Sequence, residues 1–285
     1  MDKRAGRSGI PARLSGTKLE SRLKPKLRSR YRKLEAFISQ FTSAAVAYSG
    51  GADSSLVAYI GSRVLGDMLC VTENSPAFAR EELESARKFC KQYEIPHMVI
   101  MGTGFADKKF TRNTRDRCYY CKSSLFAEIE KIRRKKRLDV IFDGSNYDDI
   151  GDYRPGRRAV SEFSVRSPLL ECGMAKKDIR ALSKALGLPT WNRPQMACLS
   201  SRVPYGTPIS KKLLGRIAIA EQILKSAGYK NVRARYHGDI LRIEIDKREK
   251  IDIERLRAVA PEMKKQGFKY IVLDIEGYRT GSMNE

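Results

Sequence analysis

The chain has 285 residues, of which 41% are apolar, and a formal net charge of +23 from 56 basic and 33 acidic side chains. That length is enough to bury a proper core in one large domain or two smaller ones. No apolar run approaches the roughly 18 residues of a membrane span, and the basic N-terminus lacks the apolar segment of a secretory signal. We therefore expect a globular, cytoplasmic protein with no membrane partner, whose charge suits polyanions such as nucleic acid or phosphorylated small molecules.

Predicted strands and helices alternate along most of the chain. Residues 1–30, rich in basic residues, glycine and serine, predict a disordered tail or a poorly packed helix, and a helix is expected at 31–41. Short strands are expected at 44–49, 67–73, 97–101 and 139–144, with helices at 54–65, 81–93 and about 120–136. Because each strand is almost continuously apolar, we expect an α/β fold with a parallel sheet covered by helices on both faces.

The pattern changes near residue 205, after a helix expected at 176–188. A helix, two strands, a helix and a strand then follow, at 209–227, 231–237, 239–246, 249–265 and 268–276. This order predicts a smaller C-terminal α/β domain. The expected organisation is a basic tail over 1–30, a larger domain carrying the cysteine site over 31–204, and the small domain over 205–285.

The segment AVAYSGGADSSLVA, residues 45–58, predicts a phosphate-binding turn between a strand and a helix. Gly50 and Gly51 would allow positive φ angles and a close approach of the backbone to a ligand. The amides of the first helical turn would then point at the ligand from the positive end of the helix dipole. Hydroxyl donors are expected from Ser49, Ser54 and Ser55. The Walker and dinucleotide-binding spacings are both absent.

The hexapeptide SGGADS resembles the PP-loop of the ATP pyrophosphatases, which split ATP into AMP and pyrophosphate. The resemblance implies that a substrate oxygen attacks the α-phosphate while the turn holds the departing pyrophosphate. It also implies that Asp53 positions Mg²⁺ or a phosphate-bound water.

Three of the six cysteines indicate a reactive or metal-binding site. CYYC at 118–121 has a spacing that lets two thiolates meet one metal or cluster, although two unrelated thiols also fit it. We expect Arg115, Arg117 and Lys122 to lower the pKa values of these thiols. Cys198 lies in the loop ACLSSRVPYG, where it is expected to be reactive or ligating.

Three thiol ligands are one short of a closed zinc site or a fully ligated [4Fe–4S] cluster, and the missing ligand leaves one iron open to a sulfide. Cys70 and Cys90 fall within predicted regular elements and are expected to be structural, whereas Cys172 fits either role. We expect no disulfides in a reducing cytoplasm.

Five segments together resemble the LarE family of ATP-dependent sulfur transferases. They are SGGADSSLVA, RCYYCKSSLF, DGSNYDDIGDYRPGRRA, SPLLECGMAKKDIRALSKALGLPTWNRP and ACLSSRVPYG, in a match that spans roughly 36–280. The resemblance implies sulfur insertion on the route to the nickel-pincer nucleotide cofactor of lactate racemase. The implied substrate is pyridinium-3,5-biscarboxylic acid mononucleotide, whose carboxylates are adenylated with ATP and then converted to thiocarboxylates. A homo-oligomer and the other enzymes of that pathway are the implied partners.

The same resemblance implies ATP, Mg²⁺ and a [4Fe–4S] cluster as cofactors. One branch of the family gives up the sulfur of a single cysteine, which is left as dehydroalanine, and another delivers a sulfide bound to a three-cysteine cluster. This chain has Cys118, Cys121 and Cys198, which favours the cluster branch. Because Cys198 also occupies the place of the sacrificial cysteine, the one-cysteine route stays open.

Further site residues are implied by matching the same motifs. Beyond the fourth strand lie Asn146, Asp148, Asp149, Asp152 and Arg154, which are expected to bind Mg²⁺, the nucleotide, a phosphate or a carboxylate. Glu73 follows the second strand, where adenosine is expected. Arg202 suits bidentate contact with a carboxylate or phosphate, and with Cys198 and Asp53 it completes the expected catalytic set. The expected substrate-binding residues are Arg202, Glu221, Arg233 and Arg235.

Two other functional classes fit part of the pattern. PP-loop enzymes that thiolate tRNA also include members with three cysteines and a cluster, and the charge of +23 suits RNA. No recognisable RNA-binding module accompanies the loop domain, and the DYRPGRR and ACLSSRVPYG segments fit the LarE family better, so nucleic acid is the less favoured partner. A non-catalytic nucleotide-binding protein with a zinc clip is the weaker alternative.

Overall fold

A computed structural model of the chain describes residues 23–150, 155–194, 197–279 and Met283. The strands are β1 Ser43–Ala47, β2 Asp67–Asn74, β3 His97–Met101, β4 Val140–Phe142, β5 Val232–His237, β6 Ile240–Ile245 and β7 Tyr270–Leu273. The helices are α1 Pro25–Ile38, α2 Ala52–Val64, α3 Arg80–Gln92, α4 Lys108–Thr111, α5 Arg117–Lys136, α6 Gly156–Glu162, α7 Pro168–Glu171, α8 Lys176–Ala185, α9 Lys211–Ser226 and α10 Ile253–Lys265. Short 3₁₀ turns cover Gly104–Ala106, Tyr147–Ile150 and Leu199–Arg202.

The first four strands form a parallel sheet in the order β3-β2-β1-β4. After Ser43, its strand β1 is built from small apolar residues, and their side chains alternate between the two faces. Ala44 and Val46 pack in a core with α1, α2, α3 and α8, whereas Ala45 packs on the other side with α5 and α6. The predicted α/β sheet with helices on both faces is therefore confirmed.

A second, smaller sheet follows, in the order β5-β6-β7. Strand β6 pairs antiparallel with β5 and parallel with β7. Apolar side chains of β6, such as Leu241 and Ile243, pack with those of α9 and α10 in a core that also includes Leu199 and Val203. The second sheet thus shares a core with the loop that carries Cys198. The predicted domain boundary at residue 205 stays a prediction.

The predicted start of the first helix is wrong, because α1 begins at Pro25 rather than near residue 31. Proline at the first helical position is preorganised for a helix and loses no intrahelical hydrogen bond. Arg30 then donates to the carbonyls of Cys172 and Gly173, at 3.0 and 2.8 Å, which ties this part of the expected tail to the fold. Residues 1–22 of that tail lie outside the described residues.

The short helices α6 and α7 were not expected from the sequence, and they fill the stretch between β4 and α8. In the ranges that the structure describes, no helix is both long and apolar enough to cross a membrane.

Candidate functional site

The glycine turn joins β1 to α2 at the carboxyl end of the parallel sheet. Gly50 has φ +73°, so the predicted left-handed conformation is confirmed there, and a Cβ would lie 3.2 Å from the Cβ of Ala86. The same expectation is wrong for Gly51, whose φ of −76° is open to any residue. Arg193 donates to the Gly50 carbonyl at 2.8 Å and to the Ser85 hydroxyl at 2.5 Å, which fixes the turn.

The first turn of α2 lies where the sequence predicts a phosphate cradle, and phosphate binding by its backbone amides stays a prediction. Ser49 and Ser54 lie with their hydroxyl oxygens 3.1 Å apart at its edge. Gly144, just after β4, approaches so closely that a Cβ there would lie 2.9 Å from the Ser54 nitrogen. Ser55 is fully buried and its hydroxyl is 3.1 Å from that of Tyr48, so the structure places it behind the cradle. A phosphate contact from Ser55 stays a prediction.

Asp53 is the acidic centre of the site. One carboxylate oxygen, Oδ2, accepts hydrogen bonds from Lys176 Nζ and, at 3.4 Å, from the Asn146 amide. The other oxygen, Oδ1, is buried and has no hydrogen-bond partner among the described residues. Burial raises the pKa of Asp53, the charge of Lys176 lowers it, and the nearby carboxylate of Asp149 raises it. An unpartnered carboxylate oxygen fits the ligand preference of Mg²⁺, and the Asp149 carboxylate is near enough for its charge to act on Asp53.

The acidic turn after β4 is built by its own hydrogen bonds. The Asn146 N–H donates to Asp149 Oδ2 at 3.0 Å, and the Asp148 N–H donates to Asn146 Oδ1 at 3.1 Å. Asp148 Oδ2 in turn accepts from the backbone N–H of Lys176 at 2.8 Å, which anchors the start of α8. The expected residues Asp152 and Arg154 lie outside the described residues.

A cavity of about 450 Å³ opens beside the glycine turn, at the carboxyl ends of β1 and β2. That volume is in the usual range for small-molecule sites. Its lining includes Ser49, Glu73, Phe78, Glu82 and Leu83. Glu73 lies where the sequence predicts adenosine, and burial raises the pKa of its carboxyl to about 7. Burial likewise raises the pKa of Glu82 to about 7, with Arg193 opposing the shift.

The three predicted cysteines lie close enough to influence one another. Cys118 and Cys121 are in the first turn of α5, and Cys198 immediately precedes the turn Leu199–Arg202. The charge on Cys198 raises the pKa values of both Cys118 and Cys121, and the charge on Glu73 also raises that of Cys121. Cys121 and Cys198 also pack against the same apolar core as Phe78, a residue of the cavity wall.

Desolvation outweighs the expected effect of the neighbouring cations on these thiols, because Arg117 and Lys122 lower the pKa of Cys118, and Lys122 that of Cys121, by less than burial raises them. Desolvation raises the pKa of Cys118 and raises that of Cys121 well above the usual value, outweighing Arg117 and Lys122. Both cations also have other partners. Arg117 donates to Asn113 Oδ1 at 2.6 Å, and Lys122 lies 3.5 Å from the carboxylate of Asp143. Both cations therefore interact with neutral or acidic groups as well as with the thiols.

Three thiols are a suitable donor set for an iron–sulfur cluster. In the described part of the chain, however, no group of three or more His, Cys, Asp or Glu side chains is arranged to hold a metal ion. The cysteines Cys70, Cys90 and Cys172 are buried in the apolar core beside the main sheet, which agrees with a structural role for the first two.

The predicted substrate residues form a charged network between the Cys198 loop and the second sheet. Arg202 is 1% exposed and its guanidinium contacts both carboxylate oxygens of Glu221, at 2.8 and 3.2 Å. Arg235 donates to the Ser201 carbonyl at 3.0 Å and to Glu244 at 2.8 Å. These contacts make Arg202, Glu221 and Arg235 parts of the framework around the loop, and their contact with substrate stays a prediction.

Arg233 differs from the other arginines in this network. Its guanidinium donates to the Val232 carbonyl at 2.8 Å and lies 4.9 Å from the centre of the Tyr278 ring. Burial lowers the pKa of Arg233, and the positive charge of Arg202 lowers it further. An anion would relieve that repulsion, which suits the predicted role of Arg233 in substrate binding.

Sequence reasoning missed three site residues, Lys176, Arg193 and Glu82. Lys176 and Arg193 lie within a quoted motif, SPLLECGMAKKDIRALSKALGLPTWNRP, but nothing in the motif indicates that they reach the glycine turn. Glu82 belongs to the first turn of α3, whose burial depends on the packing of the cavity wall.

Comparison with known proteins gives the family. No family model matches the chain. The uncharacterized protein slr1717 of Synechocystis sp. is 37% identical over 262 residues, which cover 90% of this chain and 98% of that protein. The tRNA-specific 2-thiouridylase MnmA of Rhizobium rhizogenes is 27% identical over 257 residues, which cover 74% of this chain and 63% of MnmA.

The pyridinium-3,5-bisthiocarboxylic acid mononucleotide synthase of Lactiplantibacillus plantarum is 34% identical over 255 residues, which cover 88% of this chain and 92% of the synthase. With its PP-loop sheet and this relative, the chain belongs to the LarE family, that of the pyridinium-3,5-bisthiocarboxylic acid mononucleotide synthase.

Proposed function

We propose that this chain is an ATP-dependent sulfur transferase that converts the carboxylates of pyridinium-3,5-biscarboxylic acid mononucleotide to thiocarboxylates. One observation supports this proposal above all. Phe78 of the cavity wall packs against the same apolar core as Cys121 and Cys198, and the Leu199 N–H, next to Cys198, donates to the Ala77 carbonyl beside Phe78 at 2.7 Å. A nucleotide in the cavity would therefore lie next to the thiols, as a transfer of sulfur to an activated carboxylate requires.

The first half of the reaction would take place at the glycine turn. A carboxylate oxygen of the substrate attacks the α-phosphate of ATP, pyrophosphate leaves, and an acyl adenylate is formed. The amides at the start of α2 and the hydroxyls of Ser49 and Ser54 would hold the departing pyrophosphate. Asp53, Asn146 and Asp149 would hold Mg²⁺, which neutralises phosphate charge. A free carboxylate resists attack by sulfur, whereas AMP is a good leaving group.

In the second half, a sulfur nucleophile attacks the acyl carbon and AMP leaves with the bonding electron pair. Cys118, Cys121 and Cys198 would hold a [4Fe–4S] cluster, which supplies an open iron for a sulfide. In the alternative route Cys198 Sγ itself forms the acyl bond. Loss of the Cα proton and cleavage of the Cβ–S bond then leave the sulfur on the product and dehydroalanine in the chain.

The remaining expectations belong to the same proposal. Arg233 would bind a phosphate or carboxylate of the substrate, and Arg202, Glu221 and Arg235 would position the loop that delivers the sulfur. A cytoplasmic homo-oligomer that works with other enzymes of the nickel-pincer pathway fits this role.

The proposal is tested by an anaerobic reaction of the full chain, with iron and sulfide restored, Mg-ATP and the pyridinium biscarboxylate mononucleotide. Mass spectrometry would follow both the exchange of substrate oxygen for sulfur and the intact protein mass. Thiolated product beyond one equivalent per chain, with Cys198 unchanged, supports the cluster route. At most one equivalent, with dehydroalanine at 198, supports the sacrificial route.

Two variants separate the routes further. Cys118→Ser would abolish product formation on the cluster route but would leave a single turnover on the sacrificial route. Cys172→Ala, a buried cysteine of the main core, is the control and should leave the yield per folded chain unchanged. AMP formation without any thiolated product would contradict the proposed function.

A tRNA thiolase is the second candidate, favoured by the similarity to MnmA and by the charge of +23. RNA binding through surface charge falls steeply with salt concentration. Thiolation of tRNA by the full chain, with RNA affinity that falls steeply between 50 and about 200 mM salt, would favour this candidate over the nucleotide substrate.

A further inference from the structure

The cavity beside the glycine turn has an acidic interior. Of its charged lining residues in the described part of the chain, Arg80, Glu84 and Arg87 are exposed, whereas Glu73 and Glu82 are only partly exposed. Adenosine is neutral and the phosphates of ATP are negative, so neither attracts a carboxylate. Two partly buried carboxyl groups instead favour a ligand that brings positive charge.

Glu82 belongs to the face of α3 that packs against the glycine turn. Glu82, Ser85 and Ala86 follow one another at helical spacing along that face. Arg193 joins the Ser85 hydroxyl to the Gly50 carbonyl, through hydrogen bonds of 2.5 and 2.8 Å. The Cβ of Ala86 would lie 3.2 Å from a Cβ at Gly50. Glu82 is one turn nearer to the start of α3, so it borders the cavity next to the glycine turn.

The start of α3 also adjoins the loop that carries Cys198. The Ala77 carbonyl accepts a hydrogen bond of 2.7 Å from the Leu199 N–H. Phe78, the next residue, packs against the same apolar core as Cys198. Glu82 therefore lies on a helix whose face meets the glycine turn and whose start meets the expected sulfur donor.

The two interior carboxyl groups differ in their surroundings. Among the described residues, the carboxylate of Glu82 makes no hydrogen bond and no salt bridge. The carboxylate of Glu73 lies against Gly102, where a Cβ would clash with it, and Gly102 follows β3 on the far side of β2 from the glycine turn. Glu82 is thus the carboxyl group better placed to meet a ligand that lies between the glycine turn and Cys198.

We propose that Glu82 is a specificity-determining residue that binds the positively charged pyridinium ring of the substrate. Both substrate carboxylates are attached to this ring, so the ring has to lie beside the α-phosphate during adenylation and within reach of the sulfur during transfer. Apart from Mg²⁺, which is expected at Asp53, the ring nitrogen carries the only positive charge that the reactants bring. This inference rests on the proposed function, because it concerns how the same site selects its substrate.

A carboxyl group has to be ionised to attract a cation. Burial raises the pKa of Glu82 to about 7, against the opposing charges of Arg193, Arg202 and Lys225 on other elements, and Glu81 on its own helix adds to the rise. At low pH the pyridinium ring would have to displace a proton from Glu82. Affinity for the ring should therefore increase as the pH rises from about 5 to about 8.

The experiment compares two ligands that differ in ring charge, pyridinium-3,5-biscarboxylic acid mononucleotide and its 1,4-dihydro form, whose ring is neutral. Calorimetry on the full chain, with Mg²⁺ and α,β-methylene-ATP, which cannot be cleaved to AMP, measures their binding without reaction. At pH 8, Glu82→Gln should weaken binding of the pyridinium form about tenfold and change binding of the dihydro form less than about twofold. At about pH 5, the variant and the wild type should bind the pyridinium form equally well.

Glu81→Gln is the matched control. It removes the same charge one residue away, at an exposed position outside the cavity lining, and should bind both ligands within about twofold of the wild type. An equal loss of affinity for both ligands in Glu82→Gln would overturn the inference, because the carboxylate would then serve the shape of the cavity and not the charge of the ring. Unchanged binding of the pyridinium form at pH 8 would overturn it as well.

The outcomes also separate this inference from the proposed function. If the wild type binds the pyridinium form and Glu82→Gln keeps the same preference for it over the dihydro form, the inference fails while the sulfur transferase stands. If the wild type binds neither form, both fail together.

Discussion

Removing Arg202 should destabilise the whole chain, because it would leave the Glu221 carboxylate buried without its cation. Arg202 and Glu221 are 1% and 5% exposed, and two contacts of 2.8 and 3.2 Å join them. Arg202 also donates to the carbonyls of Ala197 and Cys198, at 2.7 and 3.1 Å. Breaking one side of such a buried pair costs about 3–5 kcal/mol, so we expect Arg202→Ala to lower the free energy of unfolding by that amount.

Urea unfolding, followed by circular dichroism, measures this change through the midpoint and slope of the transition. The control is Arg257→Ala, which breaks an exposed pair with Glu254 whose members are 72% and 79% exposed. Exposed pairs contribute little, so its unfolding free energy should stay within about 1 kcal/mol of the wild type. The double variant Arg202→Met/Glu221→Leu removes both charges together, and it should recover most of the lost stability.

The reasoning would be refuted if Arg202→Ala unfolded within about 1 kcal/mol of the wild type, like the exposed control. The double variant also decides what Arg202 does for catalysis. If it is stable but cannot thiolate substrate, the predicted contact of Arg202 with a carboxylate or phosphate gains support. If the double variant is stable and active, the role of Arg202 is limited to holding the Cys198 loop in place.

Two further predictions concern the cavity and the cradle. Burial raises the pKa of Glu73 from 4.5 to about 7, so native Glu73 retains its proton where the unfolded chain loses it, and stability falls as pH rises from about 4.5 through about 7. In urea unfolding, Glu73→Gln should therefore become more stable relative to the wild type as the pH rises from 5 to 8. A stability difference between the two proteins that does not change with pH would contradict the raised pKa of Glu73. Gly144→Ala should weaken α,β-methylene-ATP binding in calorimetry, because its Cβ would lie 2.9 Å from the Ser54 nitrogen. The control is Gly215→Ala in helix α9, where an added Cβ would have no atom within 4 Å. It should bind α,β-methylene-ATP normally, and its free energy of unfolding should rise by up to about 1 kcal/mol. Equal binding by the two variants would refute the close approach of Gly144 to Ser54.

The main sheet could be predicted because its signals are local. After Ser43, strand β1 has only small apolar residues and is buried on both faces, so its continuous apolar run was sufficient to indicate a central parallel strand. The turn at Gly50 was predictable for the same reason, since a strand, two glycines and a helix follow one another directly. The prediction failed at Gly51, because sequence alone does not say which glycine of a pair adopts the positive φ.

The chemistry of the site depends on contacts that no local pattern contains. Lys176 reaches Asp53 from 123 residues away along the chain, and its neighbour Lys177 has the same side chain but is exposed. Which of the two lysine side chains contacts Asp53 depends on the residue at which α8 begins. The net pKa shifts of Cys118 and Cys121 could not be predicted for a similar reason. The basic residues beside them in sequence do lower these pKa values, but burial by the atoms packed around the thiols raises them more.

The position of the Cys198 loop gives a physical reason for joining the two halves of the proposed reaction. An acyl adenylate hydrolyses if water reaches it before sulfur does, so the sulfur must already lie beside the nucleotide. Arg193, just before the loop, donates to the Gly50 carbonyl of the cradle. Leu199, just after Cys198, donates its N–H to the Ala77 carbonyl at 2.7 Å, next to cavity residues Pro76 and Phe78. Because hydrogen bonds attach the chain on both sides of Cys198 to the glycine turn and the cavity wall, this thiol would stay beside the proposed nucleotide site. ATP binding and sulfur delivery would then depend on the same short segment.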